Sequence, residues 1–292
     1  MARGVIKTGL GERLAYYFIS IFGKKTLGIA YSIAFCETIL APVTPSNTAR
    51  AGAIINPIVQ AISRSFKSTL EDGTQNKIGT YLSLVNFQAN PISSAMFITA
   101  TAPNPLVVDL VAQATNLEVH LTWGQWALGM FLPSIAAMLL MPLVLYFLSP
   151  LEIKSTPNAS TFAFMGWSFG RICFCYGTWG NFYYDIFKPC FFIYTLFLCF
   201  HYSSYICNVF FVFYSAGLAL GTPPLLYAFI MIASGNVMMA LTHYATGTAP
   251  VIFGTGYVSL KKWWSVGFVI SVIDITVMIL VGLVWWKFLG FY

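Results

Sequence analysis

Apolar residues run along this chain in stretches too long and too evenly apolar for helices that show one face to water. Trp123 to Leu148 carries no charge, and Trp263 to Trp286 carries only Asp274. A hydrocarbon layer of about 30 Å is crossed by roughly 20 helical residues at about 1.5 Å each, so both stretches are predicted membrane-spanning helices. Two further apolar stretches are interrupted. Thr26 to Ser63 breaks at Ala41-Pro42-Val43-Thr44-Pro45-Ser46-Asn47-Thr48, where two prolines remove backbone donors and disfavour helix. Tyr81 to Asn116 breaks at Thr99-Ala100-Thr101-Ala102-Pro103-Asn104-Pro105. Non-helical backbone is tolerated at membrane depth only where protein or a water-filled cavity satisfies its polar groups, so the interruptions mark where a site is expected.

The flanks of the first interrupted stretch are both basic, with Lys24 and Lys25 before it and Arg64, Lys67 and Lys77 after it. The positive-inside rule places both on the cytoplasmic side and predicts a re-entrant hairpin with Ser46-Asn47-Thr48 at its tip. Tyr81 to Asn116 then crosses outward as a broken helix, and Trp123 to Leu148 crosses back, putting Glu152, Lys154 and Arg171 inside. Near the other end, Ala228 to Ala240 leads into Thr246-Gly247-Thr248-Ala249-Pro250, which copies Thr99-Ala100-Thr101-Ala102-Pro103. Each copy is followed by a tryptophan segment with glycine three residues on, Trp126 to Gly129 and Trp264 to Gly267. Paired interruptions of this kind in two halves point to a transporter site at the midplane. The expected fold is an all-α polytopic membrane protein with a re-entrant hairpin, discontinuous helices and a partial inverted repeat. Residues 1–160 form the first repeat's remainder and 215–292 the second's. Between them, 161–214 is aromatic and holds five of the six cysteines without a clear helical face.

Composition sharpens this picture: 58% of residues are hydrophobic and 8% charged, where a soluble domain carries about 25% charged residues. The net charge of +6 would suit nucleic acid, but the basic residues cluster at the ends of apolar spans and not along one face, so no nucleic-acid partner is expected. The cysteines show neither disulfide nor zinc spacing, so no metal site is read from them. Residues 1–25 interleave Arg3, Lys7, Arg13, Lys24 and Lys25 with short apolar runs and lack the h-region of a cleavable signal peptide. Asn158-Ala159-Ser160 matches a glycosylation acceptor but falls inside. No phosphate loop, nucleophile elbow or spaced pair of carboxylates occurs, so enzyme activity is not expected.

A carboxylate held in a membrane needs donors independent of bulk water, and helix starts supply them through unpaired N–H groups. Ser46, Asn47 and Thr48 stand where the second hairpin arm begins; Thr101 and Thr248 stand at the other two breaks. The competing structural reading is an N-cap for the first three and back-bonding to a helix carbonyl for the threonines. Glu37 and Arg50, one in each hairpin arm, are candidates for a pair. Asp274 is expected buried, and His243 is expected to be a packed tip.

Leu40-Ala41-Pro42-Val43-Thr44-Pro45-Ser46-Asn47-Thr48-Ala49-Arg50-Ala51-Gly52 and Leu241-Thr242-His243-Tyr244-Ala245-Thr246-Gly247-Thr248-Ala249-Pro250, continuing to Gly254-Thr255-Gly256-Tyr257, resemble the divalent anion:sodium symporter family. The closest branch is that of 2-oxoglutarate/malate translocators and citrate/succinate exchangers. The resemblance implies a homodimer with a scaffold and a moving transport part, working by dicarboxylate exchange or sodium coupling. It carries substrate binding onto Asn47, Thr48, Thr101 and Thr248, and a cation site onto Ser46, Asn47, Ala100 and Gly247. Ala100 stands in for the glycine of some members. No cofactor is implied beyond sodium as a coupling ion, and the location is the plasma membrane of a bacterium or a plastid envelope. Three departures follow. The scaffold spans expected before Arg3 are absent, the region after Lys154 is too short, and nothing near Ser203-Ser204-Tyr205-Ile206-Cys207-Asn208 matches a second Ser-Asn-Thr tip. The alternative is a non-transporting fragment or a subunit that needs a partner.

Overall fold

The computed structural model describes residues 10–149, 151–156 and 210–292. The aromatic, cysteine-rich segment therefore lies outside the described residues up to 209, as do Asn158-Ala159-Ser160 and Arg171. Among the described residues every regular element is helical, and one antiparallel bridge, Lys25 to Ser155, is the sole sheet-like contact.

Helix α1 (Leu10–Phe22) leads through a short turn into α2 (Thr26–Leu40), which stops at the proline-containing turn of residues 41–46. The chain re-enters helix as a wide π-type coil, Thr48–Ile55, which runs straight into α3 (Asn56–Ser65). Pro57, with no N–H to give, falls where the wide coil passes to α geometry. Both arms of this hairpin open at the same end of the bundle. The start of α2 and the loop after α3 bond to one strap, residues 153–156, through Thr26 N–H to the Lys154 carbonyl and Ile153 N–H to the Lys77 carbonyl.

Helix α4 (Gly79–Met96) is buried along all 18 residues and forms the axis of the molecule. It ends in a break: Phe97 is extended, Ile98–Ala100 makes one tight turn, Thr101 is extended again, and α5 (Pro103–Ala114) follows. Thr122 and Gln125 form a capping box that starts α6 (Trp123–Leu148). The second described stretch holds α7 (Phe211–Ala219), α8 (Pro224–Val237), an irregular passage to residue 247, α9 (Thr248–Phe253) and α10 (Leu260–Phe288).

α6, at 26 residues, and α10, at 29, are the two described helices long and apolar enough to cross a membrane. They pack antiparallel, the tail of α10 beside the start of α6, with Trp285 Nε1 donating to the Leu128 carbonyl (2.7 Å) and Trp286 Nε1 to the Gly129 carbonyl (2.8 Å). The second bond has a covalent cause: Pro133, four residues on, cannot donate to Gly129, so a tryptophan does.

Charge is unevenly distributed. The Tyr257 hydroxyl donates to the Ser68 carbonyl and Thr80 Oγ1 to the Tyr257 carbonyl, which sets the start of α10 beside the loop after α3. One end of the bundle therefore gathers Lys24, Lys25, Arg64, Lys67, Lys77, Lys154, Lys261 and Lys262, with Glu71, Asp72 and Glu152 among them. The other holds Glu118, His120 and Lys287.

Candidate functional site

Breaking a helix frees carbonyls, and a buried polar group without a partner costs roughly 1–3 kcal/mol. Here side chains meet that cost. At the end of α4, Asn104 Nδ2 donates to the carbonyls of Ser94 (2.8 Å) and Phe97 (3.0 Å), and Trp126 Nε1 donates to that of Ala95 (3.0 Å). At the hairpin, Thr99 Oγ1 bonds the Pro42 carbonyl, Asn90 Nδ2 that of Asn47 and Asn86 Nδ2 that of Ala51.

Arg50 binds these pieces into one body. Guanidinium offers five N–H donors, and all five are used. Nε meets Glu37 Oε1 at 2.7 Å. Nη1 meets the carbonyls of Thr44 (3.1 Å) and Ala100 (3.0 Å). Nη2 meets Ser93 Oγ and Ser94 Oγ, each at 3.1 Å. Glu37 Oε1 also accepts from Asn90 Nδ2 (2.6 Å) and Ser93 Oγ (3.2 Å), and both ion-pair side chains are 0% exposed. The candidate pair across the hairpin is present, and its charges cancel inside the fold.

The tip residues are capped as well as gathered. Asn47 Oδ1 accepts from Thr48 N–H (2.9 Å) and Ser46 Oγ from Ala49 N–H (3.3 Å), so the N-cap reading describes both oxygens. Asn47 Nδ2 turns the other way, to Met239 Sδ at 4.0 Å in the second break. Thr48 faces Gly247 so closely that a Cβ added there would lie 2.7 Å from Thr48 Oγ1; only glycine leaves that hydroxyl in place. Ser46, Asn47, Thr48 and Gly247 are thus brought together. Ala100 joins them through Arg50, with buried Thr101 beside it. Thr248 opens α9 next to Gly247; its Oγ1 is buried with no partner among the described residues, as is Thr246 Oγ1. Neither Thr101 nor Thr248 bonds back to a carbonyl of its own helix.

The arrangement offers hydroxyls and helix-start N–H groups around a spot with no net charge. It suits reversible holding of a small polar ion. No group of three or more metal-binding side chains occurs among the described residues.

Several residues that build the site escape the sequence argument: Asn86, Gln88, Asn90, Ser93, Ser94, Asn104, Trp126 and Asn236. Gln88 Nε2 reaches the Ala240 carbonyl (3.2 Å) and Asn236 Nδ2 reaches Asn104 Oδ1 (3.4 Å), linking the two broken helices. A signal existed, since Asn86, Asn90 and Ser93 share one helical face within an otherwise apolar span. His243 accepts at Nδ1 from Trp264 Nε1 (3.3 Å) and packs on Phe253, the packed tip expected of it. Asp274 is 1% exposed, also as expected.

Residues 1–168 and 187–292 match the family model described as sodium:sulfate symporter transmembrane region. The chain is 34% identical over 379 aligned positions to the "Putative malate transporter YflS" of Bacillus subtilis (strain 168), covering 100% of this chain and 79% of that protein. It is 33% identical to dicarboxylate transporter 1, chloroplastic, of Spinacia oleracea, covering 100% of this chain and 66% of the relative. Its identity to the Arabidopsis thaliana protein of the same name is 31%, over 100% and 68% of the two chains. The alignment to the Bacillus protein exceeds the 292 residues of this chain by 87 positions (379 against 292), so the relative carries residues with no counterpart here.

Proposed function

The chain belongs to the sodium:sulfate symporter transmembrane family, and from that premise we propose that it carries C4 to C6 dicarboxylates across a membrane by secondary transport. It is an integral membrane protein of a transporter family and not an enzyme. The anion docks where the hairpin tip meets the second break, held by Asn47, Thr48, Thr101 and Thr248 and the N–H groups of the helix starts. The observation that carries this reading is the meeting of Thr48 with Gly247, two positions 199 residues apart in sequence, each at the start of a helix.

Exchange is favoured over sodium coupling. Of the oxygens nominated for a cation, the Ala100 carbonyl faces the Arg50 guanidinium, and Ser46 Oγ and Asn47 Oδ1 accept backbone N–H bonds. Those three oxygens are therefore already engaged by protein donors. Swapping one dianion for another moves no net charge across the membrane, so the site needs no co-ion to offset the roughly 2.3 kcal/mol per charge per 100 mV of the membrane field. The matched breaks, each opening a short helix at Pro103 and Thr248, support the repeat. The basic end is assigned to the cytoplasm, and the molecule is read as a homodimer in a bacterial plasma membrane, the plastid envelope being the other candidate.

The 87 unmatched positions favour a second reading, a transporter half-site that works only with a partner. Purified chain in vesicles preloaded with unlabelled malate separates these readings. Uptake of labelled malate or 2-oxoglutarate, equal in sodium and choline, is expected. Sodium dependence sinks exchange, and no uptake from folded protein supports the partner reading.

A further inference from the structure

Three stretches distant in sequence are pinned together at the basic end. Thr156 N–H donates to the Lys24 carbonyl (3.0 Å), Thr26 N–H to that of Lys154 (3.3 Å) and Ile153 N–H to that of Lys77 (3.4 Å). Thr26 Oγ1 on the Ile153 carbonyl (2.6 Å) and Thr156 Oγ1 on the Gly23 carbonyl (2.7 Å) lock the joint. The bonds gather Lys24, Lys25, Lys77 and Lys154 into a knot, three of them exposed and Lys77 half-buried. Among the described residues the sole ion pair is that of Arg50 with Glu37, so no carboxylate lies within 4.0 Å of these ammonium groups. Glu152, the acid nearest in sequence, is exposed. Immediately before the knot α1 ends in Ile21 and Phe22, 48% and 46% exposed, while Ile19 on the same helix is buried.

Exposed apolar side chains directly beside unpaired lysines match the headgroup boundary of a bilayer, where the first enter the acyl layer and the second reach phosphate. We infer that the knot is a docking site for an anionic phospholipid, its phosphate on Lys24, Lys25, Lys77 and Lys154 and its acyl chains against Ile21 and Phe22. A free anion would find the same charges but make no use of the apolar pair. The first hairpin arm, α2, starts inside the knot at Thr26 and carries Glu37 about three turns further in. A bound lipid therefore steadies the base of the arm that ends at the transport site.

The test measures phosphatidylglycerol retained by the purified full chain, by native mass spectrometry, and its thermal midpoint in phosphatidylcholine discs with and without phosphatidylglycerol. The variant Lys24→Gln/Lys25→Gln/Lys77→Gln/Lys154→Gln is expected to retain roughly tenfold less phosphatidylglycerol or lower still, and to lose the upward shift in midpoint. The corresponding four Lys→Arg changes restore both, and Lys287→Gln, at the opposite end, leaves both unchanged. Equal retention by the Gln variant overturns the site. Inorganic phosphate reproducing the whole shift overturns the lipid as its occupant.

Discussion

The break between α4 and α5 and the one between α8 and α9 have nearly the same sequence and are finished differently. In the first, the carbonyls of Ser94, Ala95, Phe97 and Ala100 each receive a side-chain donor, from Asn104, Trp126 or Arg50. In the second, the Ala240 carbonyl receives Gln88, while the buried hydroxyls of Thr246 and Thr248 have no partner among the described residues. The first break keeps its shape by its own bonds. The second keeps unspent hydrogen-bonding capacity where Thr48 approaches Gly247. Stability should therefore reside in the first break and ligand dependence in the second, and substitutions can pull the two apart.

The largest effect is expected at Arg50. Arg50→Met leaves Glu37 buried and unpaired, which costs about 3–5 kcal/mol. A collapse of the thermal midpoint or of folded yield checks this, and Glu37→Met added to it should recover part of the loss, since the two side chains are in contact. Asn104→Ala comes next. It strips donors from the Ser94 and Phe97 carbonyls and should cost roughly 1–3 kcal/mol in denaturant-resolved stability. Gly247→Val should abolish uptake while moving the midpoint little, because the added atoms displace Thr48 Oγ1 at a half-buried position, where its bond to Asn47 Oδ1 is a long one of 3.5 Å. The smallest change is expected from Thr248→Val: stability within about 0.5 kcal/mol of the parent and malate affinity lower by roughly tenfold, since the hydroxyl has no protein partner to lose. A large destabilisation by Thr248→Val would erase the distinction between the breaks.

Much of this was legible because lipid makes irregular backbone conspicuous. Prolines 42, 45, 103 and 105 and the small residues around them announced the hairpin turn and the first break, and the repetition of the second pattern at residues 246–250 announced the other half. What stayed hidden was how the breaks are satisfied. Uncharged amides such as Asn90 and Asn104 act across 43 and 10 residues respectively, and no local period encodes which carbonyl they will meet. The π-type coil of Thr48–Ile55 was equally invisible, since nothing in its composition separates a wide turn from an ordinary one. The basic flanks read as a topology signal, yet their convergence on one strap at residues 153–156 is a tertiary fact.

The central claim is that the anion sits where the hairpin tip meets the second break, and equilibrium binding of labelled malate to the purified chain tests it most directly. Thr48→Ala, with an unchanged thermal midpoint, is predicted to weaken binding at least about tenfold, the loss of one to two hydrogen bonds to a charged ligand. Parent-like affinity in that folded variant would contradict the account.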